Sequence, residues 1–303
     1  PFKTYYGTID ATPLFVMLLH RLWETSGDGA LLRELRPNWE GALAWLKTDG
    51  DPDGDGLLEF SGAQPGRGLS VQSWKDSHDS LSHADGALAS GLIAVSEVQG
   101  YAYAAYRAAA AFYRVLDEPR EAERWDAEAA AMKRRVHEAF WLEDLGTYAL
   151  ALDGDKRPLR VQNSDAGQLL WSGVVPEAVA PRLARTLFSD ELFSGWGIRT
   201  LGSREARYNP VSYHNGSVWP HDTALIAGGL ARYGLHDEAA RLREALFDLA
   251  ASQADLRPPE LVAGYARARA LDSLEAAAPP VPYPVACRPQ AWSAAALVYL
   301  AAL

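Results

Sequence analysis

Residues 95–141 read VSEVQGYAYAAYRAAAAFYRVLDEPREAERWDAEAAAMKRRVHEAFW: two helical segments, about Val95 to Leu116 and Arg120 to Trp141, parted only by Asp117-Glu118-Pro119. Proline suits a helix start and cannot continue a helix, so the break is a tight turn and the two segments form a helix pair. The pattern repeats on both sides. Upstream, apolar residues recur at helical spacing at Leu14, Leu18 and Leu22, then at Leu31, Leu35, Trp39, Leu43 and Leu46, with Ser26-Gly27-Asp28-Gly29 between them. Downstream come Asp165 to Trp171 with Pro176 to Phe188, then Trp219 to Tyr233 with Asp237 to Ala250, and a last helix from Gln290 to Leu303. Strand signals are brief, as at Thr147 to Leu152.

Helix pairs without a shared short repeat leave an open solenoid or a closed helical toroid. Connections are short within pairs but long between them, at Thr48 to Asp85, Leu142 to Asn163, Ser189 to Val218 and Ser252 to Pro289. Long connections that alternate with short ones gather at one end of the bundle, and loops of that length usually carry function. The reading is all-α: one (α/α)6 toroid over residues 1–303 with a long-loop binding face, short of some N-terminal helices because only about nine are found. The start at Pro1 adds the expectation of a C-terminal fragment of a longer protein.

The 303 residues are 48% hydrophobic and 22% charged, a globular composition. With 29 basic and 39 acidic residues the net charge is −10, which speaks against nucleic acid and anionic lipid as partners. Apolar runs such as Leu14 to Leu19 fall well short of the ~20 residues that span a bilayer, so no membrane partner is expected. A lone cysteine, Cys287, cannot pair within the chain, which favours a reducing, cytoplasmic compartment.

Two loop carboxylates stand out. Asp76 lies in Gln72-Ser73-Trp74-Lys75-Asp76-Ser77-His78-Asp79, where it could be a catalytic acid or, with Asp79, a helix cap. Glu260 follows Pro258-Pro259, whose rings stiffen the backbone as a positioned base requires, although a solvated loop glutamate reads the same way. Paired carboxylates on one face serve glycoside hydrolysis, one protonating the leaving oxygen and one acting on water or on the anomeric carbon. Sugar sites mix aromatic faces with polar side chains. Trp74 fits that mixture, and so does the loop holding Trp196, Arg199, Tyr208, Asn209, Tyr213, His214, Asn215, Trp219, His221 and Asp222, even if some of these rings only plug gaps between helices.

No cofactor or metal is expected. Asp51-Pro52-Asp53-Gly54-Asp55-Gly56 begins like a calcium loop, but Gly62 stands where the twelfth position needs a glutamate, and an Asp/Gly turn explains the run. His78 and His83 lack zinc-site spacing, and no phosphate-binding glycine loop is present.

A set of motifs carries a resemblance: Tyr6 to Phe15, Trp74-Lys75-Asp76-Ser77, Asn163 to Gly173, Gly195 to Thr200, Tyr208 to Asp222, Pro259-Glu260-Leu261 and Cys287 to Ser293. In this order, over nearly the whole chain, the sequence resembles the catalytic domain of glycogen-debranching, amylo-alpha-1,6-glucosidase-type proteins, a six-hairpin glycosidase toroid related to glycoside hydrolase families 15 and 63. The resemblance implies an inverting hydrolysis of α-glucosidic or related α-linked glycosides, with Asp76 as general acid and Glu260 as general base. It implies that Asp10, Arg199, Tyr213, His214 and Trp219 line the innermost sugar subsite, that Gln290 and Trp292 lie near the rim, and that a β-rich domain sits upstream. Trp74 and Asp79 join the sugar-binding set from their place beside Asp76, and Trp196 from its loop. The carboxyl groups of Asp76 and Glu260 are expected ~6.5–9.5 Å apart, with room for the attacking water. Trp219→Ala is expected to weaken binding more than folding. The competing readings are a non-catalytic carbohydrate-binding or scaffold protein, which needs no carboxylate pair, and a sugar epimerase or lyase, which needs a His or Tyr base.

Overall fold

The computed structural model describes residues 7–62, 68–267 and 279–303. Tyr6, which opens the first motif, and parts of two long connections lie outside the described residues. Among the described residues the chain is mostly helical, with a few two- to four-residue strands.

Burial divides the helices into two kinds. In α4 (Ser96–Val115) nearly every side chain of the first half is buried, and α6 (Asp165–Ser172) and α8 (Pro220–Arg232) are enclosed in the same way. Their partners are one-sided: α5 (Pro119–Phe140) buries Ala122, Trp125, Ala129, Met132, Val136 and Phe140, a stripe at three- and four-residue spacing. The helices α7 (Ala180–Leu187) and α9 (His236–Ala251) also bury one face. A helix enclosed all round needs an apolar or small-residue surface, while a helix facing water needs one apolar stripe, so the pattern gives an inner and an outer layer. Inner helices pack in sequence: α1 (Ala11–Ser26) on α4, α4 on α6, α6 on α8, and α8 on α10 (Ala291–Ala301).

The close inner packing depends on glycine. A β-carbon on Gly229 of α8 would lie 2.5 Å from the Trp171 backbone nitrogen and 2.8 Å from Leu170 Cβ, so α6 itself would have to move. Gly229→Ala is expected to destabilise the fold by about 1–3 kcal/mol, the usual range for overpacking, measured by urea unfolding.

Two expectations need correction. The second segment of the first pair is two helices, α2 (Gly29–Glu34) and α3 (Arg36–Leu46), because Pro37 near the start of α3 has no N–H to continue the ladder from α2. The Thr147 to Leu152 strand is likewise divided. β4 (Thr147–Tyr148) pairs with β3 (Trp141–Leu142), whereas β5 (Ala151–Leu152) joins β1 (Phe60–Ser61) and β2 (Leu92–Val95) in an antiparallel sheet ordered β1-β2-β5. Unlike α4, the first and last inner helices leave apolar surface bare, at Phe15, Leu18 and Leu22 on α1 and at Val298 and Tyr299 on α10. Among the described residues no helix is long and apolar enough to cross a membrane.

Candidate active site

The loop holding Asp76 has no regular structure, and its form comes from side-chain anchors. Trp74 Nε1 donates to Asp165 Oδ1 at 2.8 Å, and Lys75 Nζ lies 3.0 Å from the same oxygen while donating to Thr200 O at 2.8 Å. Beyond Asp76, the Ser77 amide and hydroxyl reach His214 Nδ1 at 3.3 and 2.8 Å, and Asn215 Nδ2 donates to Asp79 O at 3.2 Å. Asp76 itself remains about half exposed, at 51%. Partial burial raises its pKa above the ordinary carboxyl value, its own backbone N–H opposes the rise, and the negative charge of Glu260 adds to it. His214 is pushed down to about 3 by burial, then by the charge of Lys75 and by His221. It is therefore neutral near pH 7, and because Nδ1 accepts from the Ser77 amide its proton sits on Nε2. Its 4.0 Å approach to Asp76 is accordingly not an ion pair.

Glu260 is buried and held by three donors. Tyr213 OH and Gln290 Nε2 reach Oε1 at 2.8 and 3.1 Å, and the Cys287 backbone N–H reaches Oε2 at 3.0 Å. Paired backbone hydrogen bonds between Val218 and Val262, of 2.9 and 3.0 Å, bind the Glu260 segment to the Tyr213 segment. Burial, then the hydrogen bond to Glu260, then the charges of Glu260 and Asp76 raise the Tyr213 pKa.

Rings join these loops. Trp219 is stacked on His214 at 5.0 Å and meets Tyr213 at 4.8 Å, Trp74 at 5.8 Å and Trp292 at 6.0 Å edge-on. Its Nε1 donates to Tyr213 O at 2.9 Å and Ser217 Oγ at 3.0 Å, and the residue is only 1% exposed. Trp219 thus supports the wall from beneath and is not the sugar-facing surface expected of it. Trp292, at 41% exposure, stacks on His221 at 4.2 Å and 8°. His221 was legible in the Trp-Pro-His-Asp run, while Tyr283, whose ring lies 5.7 Å from Tyr213, sits among prolines that carried no signal.

Under the loops, inner-helix N-termini bring acids together. Asp10 precedes α1, and Glu97, Asp165 and Asp222 lie in the first turns of α4, α6 and α8. The helix dipole favours carboxylates there, but burial works against their ionisation. It raises Asp10, lifts Glu97 well above the usual range and takes Asp222 up to about 6. Tyr101 donates to Gln168 Oε1, and Gln168 Nε2 donates to Asp222 Oδ1 at 2.5 Å. Glu97 read as an ordinary helix residue, and Asp165 and Gln168 lay within the Asn163 to Gly173 motif without a role of their own.

Some candidates lie elsewhere. Arg199 is buried, with Nε on Gly264 O at 2.6 Å and Nη1 on Asp190 O and Glu191 O at 3.0 and 3.1 Å, so it ties loop carbonyls together. Trp196 is buried in the core, with the Arg267 guanidinium 4.3 Å from its ring centroid. Asp79 lines a separate polar pocket of about 420 Å³ with Asp85, Arg207 and Asn209. In the Asp51–Asp55 turn, carboxylate oxygens of Asp51, Asp53 and Asp55 lie within 4.8 Å of one another, and Lys156 Nζ lies 2.8 Å from Asp53 and 2.7 Å from Asp55 and also contacts Glu59.

A helical frame whose loops bring a half-exposed acid and a buried carboxylate to one aromatic wall is the arrangement of a glycoside hydrolase, and the sequence agrees. Residues 6–263 match the mannosylglycerate hydrolase MGH1-like glycoside hydrolase domain, and the chain belongs to that family. Its fold is similar to that of an uncharacterized conserved protein from Thermus thermophilus (TM-score 0.69, 18% identity, covering 98% of this chain and 78% of that one). It is also similar to the family 63 mannosylglycerate hydrolase of the same organism solved with glucose (TM-score 0.68, 18% identity, 99% and 77% covered). A chain described as a sialidase gives a TM-score of 0.63 at 13% identity, with 79% and 22% covered. No curated protein matches in sequence. The match carries the coarser expectation, a helical glycoside hydrolase, and does not single out glycogen debranching.

Proposed function

We propose that the chain is an inverting hydrolase of α-linked glycosides with Asp76 as general acid and Glu260 as general base. The observation that carries this reading is the contrast between them: a half-exposed carboxyl beside His214 whose pKa is raised, and a buried carboxylate fixed by three donors. Asp76 keeps its proton to higher pH than an ordinary aspartic acid and gives it to the departing oxygen. Glu260 takes a proton from the water that attacks the opposite face of the anomeric carbon. Trp292, stacked on His221 and 41% exposed, offers ring surface for the sugar, and Tyr213 keeps Glu260 aimed.

The succession of inner helices supports a toroid, in which bare α1 and α10 faces would be covered by further helices and a β-rich domain would lie upstream. The family name and the fold likeness put mannosylglycerate first among substrates to try, with isomaltose for the α-1,6-glucosidase reading, then trehalose, maltooligosaccharides and glucosylglycerol. Release of a β-configured monosaccharide from one of these, followed by proton NMR before mutarotation, is the expected result. An α-configured first product would replace inversion with retention.

A further inference from the structure

We propose that Asp165 is the positioning residue of the acid loop, acting on Asp76 through Trp74 and Lys75; this rests on the reading of Asp76 as the acid. Consecutive side chains immediately before Asp76 converge on one oxygen of Asp165, Trp74 Nε1 at 2.8 Å and Lys75 Nζ at 3.0 Å. Asp165 belongs to the enclosed helix α6 and is 1% exposed, so it offers no surface to a sugar and works only through what it holds. Lys75 is also 1% exposed and needs a counter-charge there. Asp165 is the carboxylate in contact with the Lys75 ammonium, at 3.0 Å. Thr200 O fixes the ammonium from a second side, and His214 holds Ser77 on the far side of Asp76. The stretch 74–77 is therefore clamped at both ends, and Asp76 takes its direction from the clamp rather than from any regular backbone ladder. A general acid must meet the glycosidic oxygen within hydrogen-bond reach, and a displacement of about 1 Å can cost on the order of 10²-fold in rate.

The test compares leaving groups in folded variants. Asp165→Asn keeps an acceptor for Trp74 Nε1 but removes the charge opposite Lys75, and Lys75→Met/Asp165→Asn removes both charges, so no buried ammonium is orphaned if the single variant does not fold. Thermal unfolding reports the fold of each. On the natural glycoside, kcat is expected to fall by about 10²-fold, while a dinitrophenyl glycoside or glycosyl fluoride of the same sugar, which departs without protonation, turns over at nearly the wild-type rate. A folded variant with equal losses on both substrates, or with no loss, overturns the proposal, since support of the fold alone does not discriminate between leaving groups. Asp76→Asn is run alongside. If it shows the leaving-group split and the Asp165 variants do not, only the Asp165 assignment fails; if Asp76→Asn itself shows none, the assignment of the acid fails.

Discussion

Replacing Glu260 by glutamine is expected to lower kcat by about 10²- to 10⁴-fold while leaving substrate affinity nearly intact, because an amide keeps the shape of the carboxylate but cannot take a proton from water. The surroundings make the fold tolerant of this change. Oε1 receives Tyr213 OH and Gln290 Nε2, and Oε2 receives the Cys287 N–H, so the new NH₂ must face one of these donors. Turned toward Tyr213 it meets a hydroxyl that can rotate to accept, which leaves one compromised contact with Gln290. Asp76→Asn is expected to be as damaging on natural glycosides but mild on substrates with activated leaving groups. That difference separates acid from base, read from kcat and KM on paired substrates. Wild-type turnover by Glu260→Gln would move the base elsewhere, with Asp222, raised to about 6 by burial, the next carboxylate to try.

Trp219→Ala is expected to cost about 3–5 kcal/mol of stability, the range for deleting a large buried aromatic side chain. Sequence reasoning made Trp219 a sugar-facing wall and expected binding to suffer more than folding. The structure reverses that order: the ring is 1% exposed, stacked on His214, and edge-on to Tyr213, Trp74 and Trp292. The cavity left behind would also free two contacts that Trp219 Nε1 makes to the Tyr213 segment, so Tyr213 and His214 would lose their backing. Chemical denaturation should show a lowered midpoint with an unchanged slope. A midpoint equal to wild type would show that the ring is not part of the packed support.

What could be read directly from residues was whatever depends on near neighbours. The stripe of α5, the Asp117-Glu118-Pro119 break and the short-then-long rhythm of connections are local, because helix periodicity and proline chemistry act over a few residues. The proposed carboxylate pair stood out for a related reason: Glu260 behind two prolines and Asp76 beside Trp74 each look unlike the helix residues around them.

The occupants of the space around those carboxylates were decided by contacts between distant positions. Trp74 meets Asp165 across 91 positions, and Ser77 meets His214 across 137. Arg199 looked like a sugar ligand until the fold brought Gly264 O to its guanidinium, and Trp219 looked like a wall until five rings gathered around it. Whether a polar or aromatic side chain faces a ligand or supports a loop depends on what the chain places within about 3 Å of its hydrogen-bonding atoms and on how much water it loses. Residue type and periodicity fix the helices, but the partner that satisfies each buried group is chosen only when those helices pack.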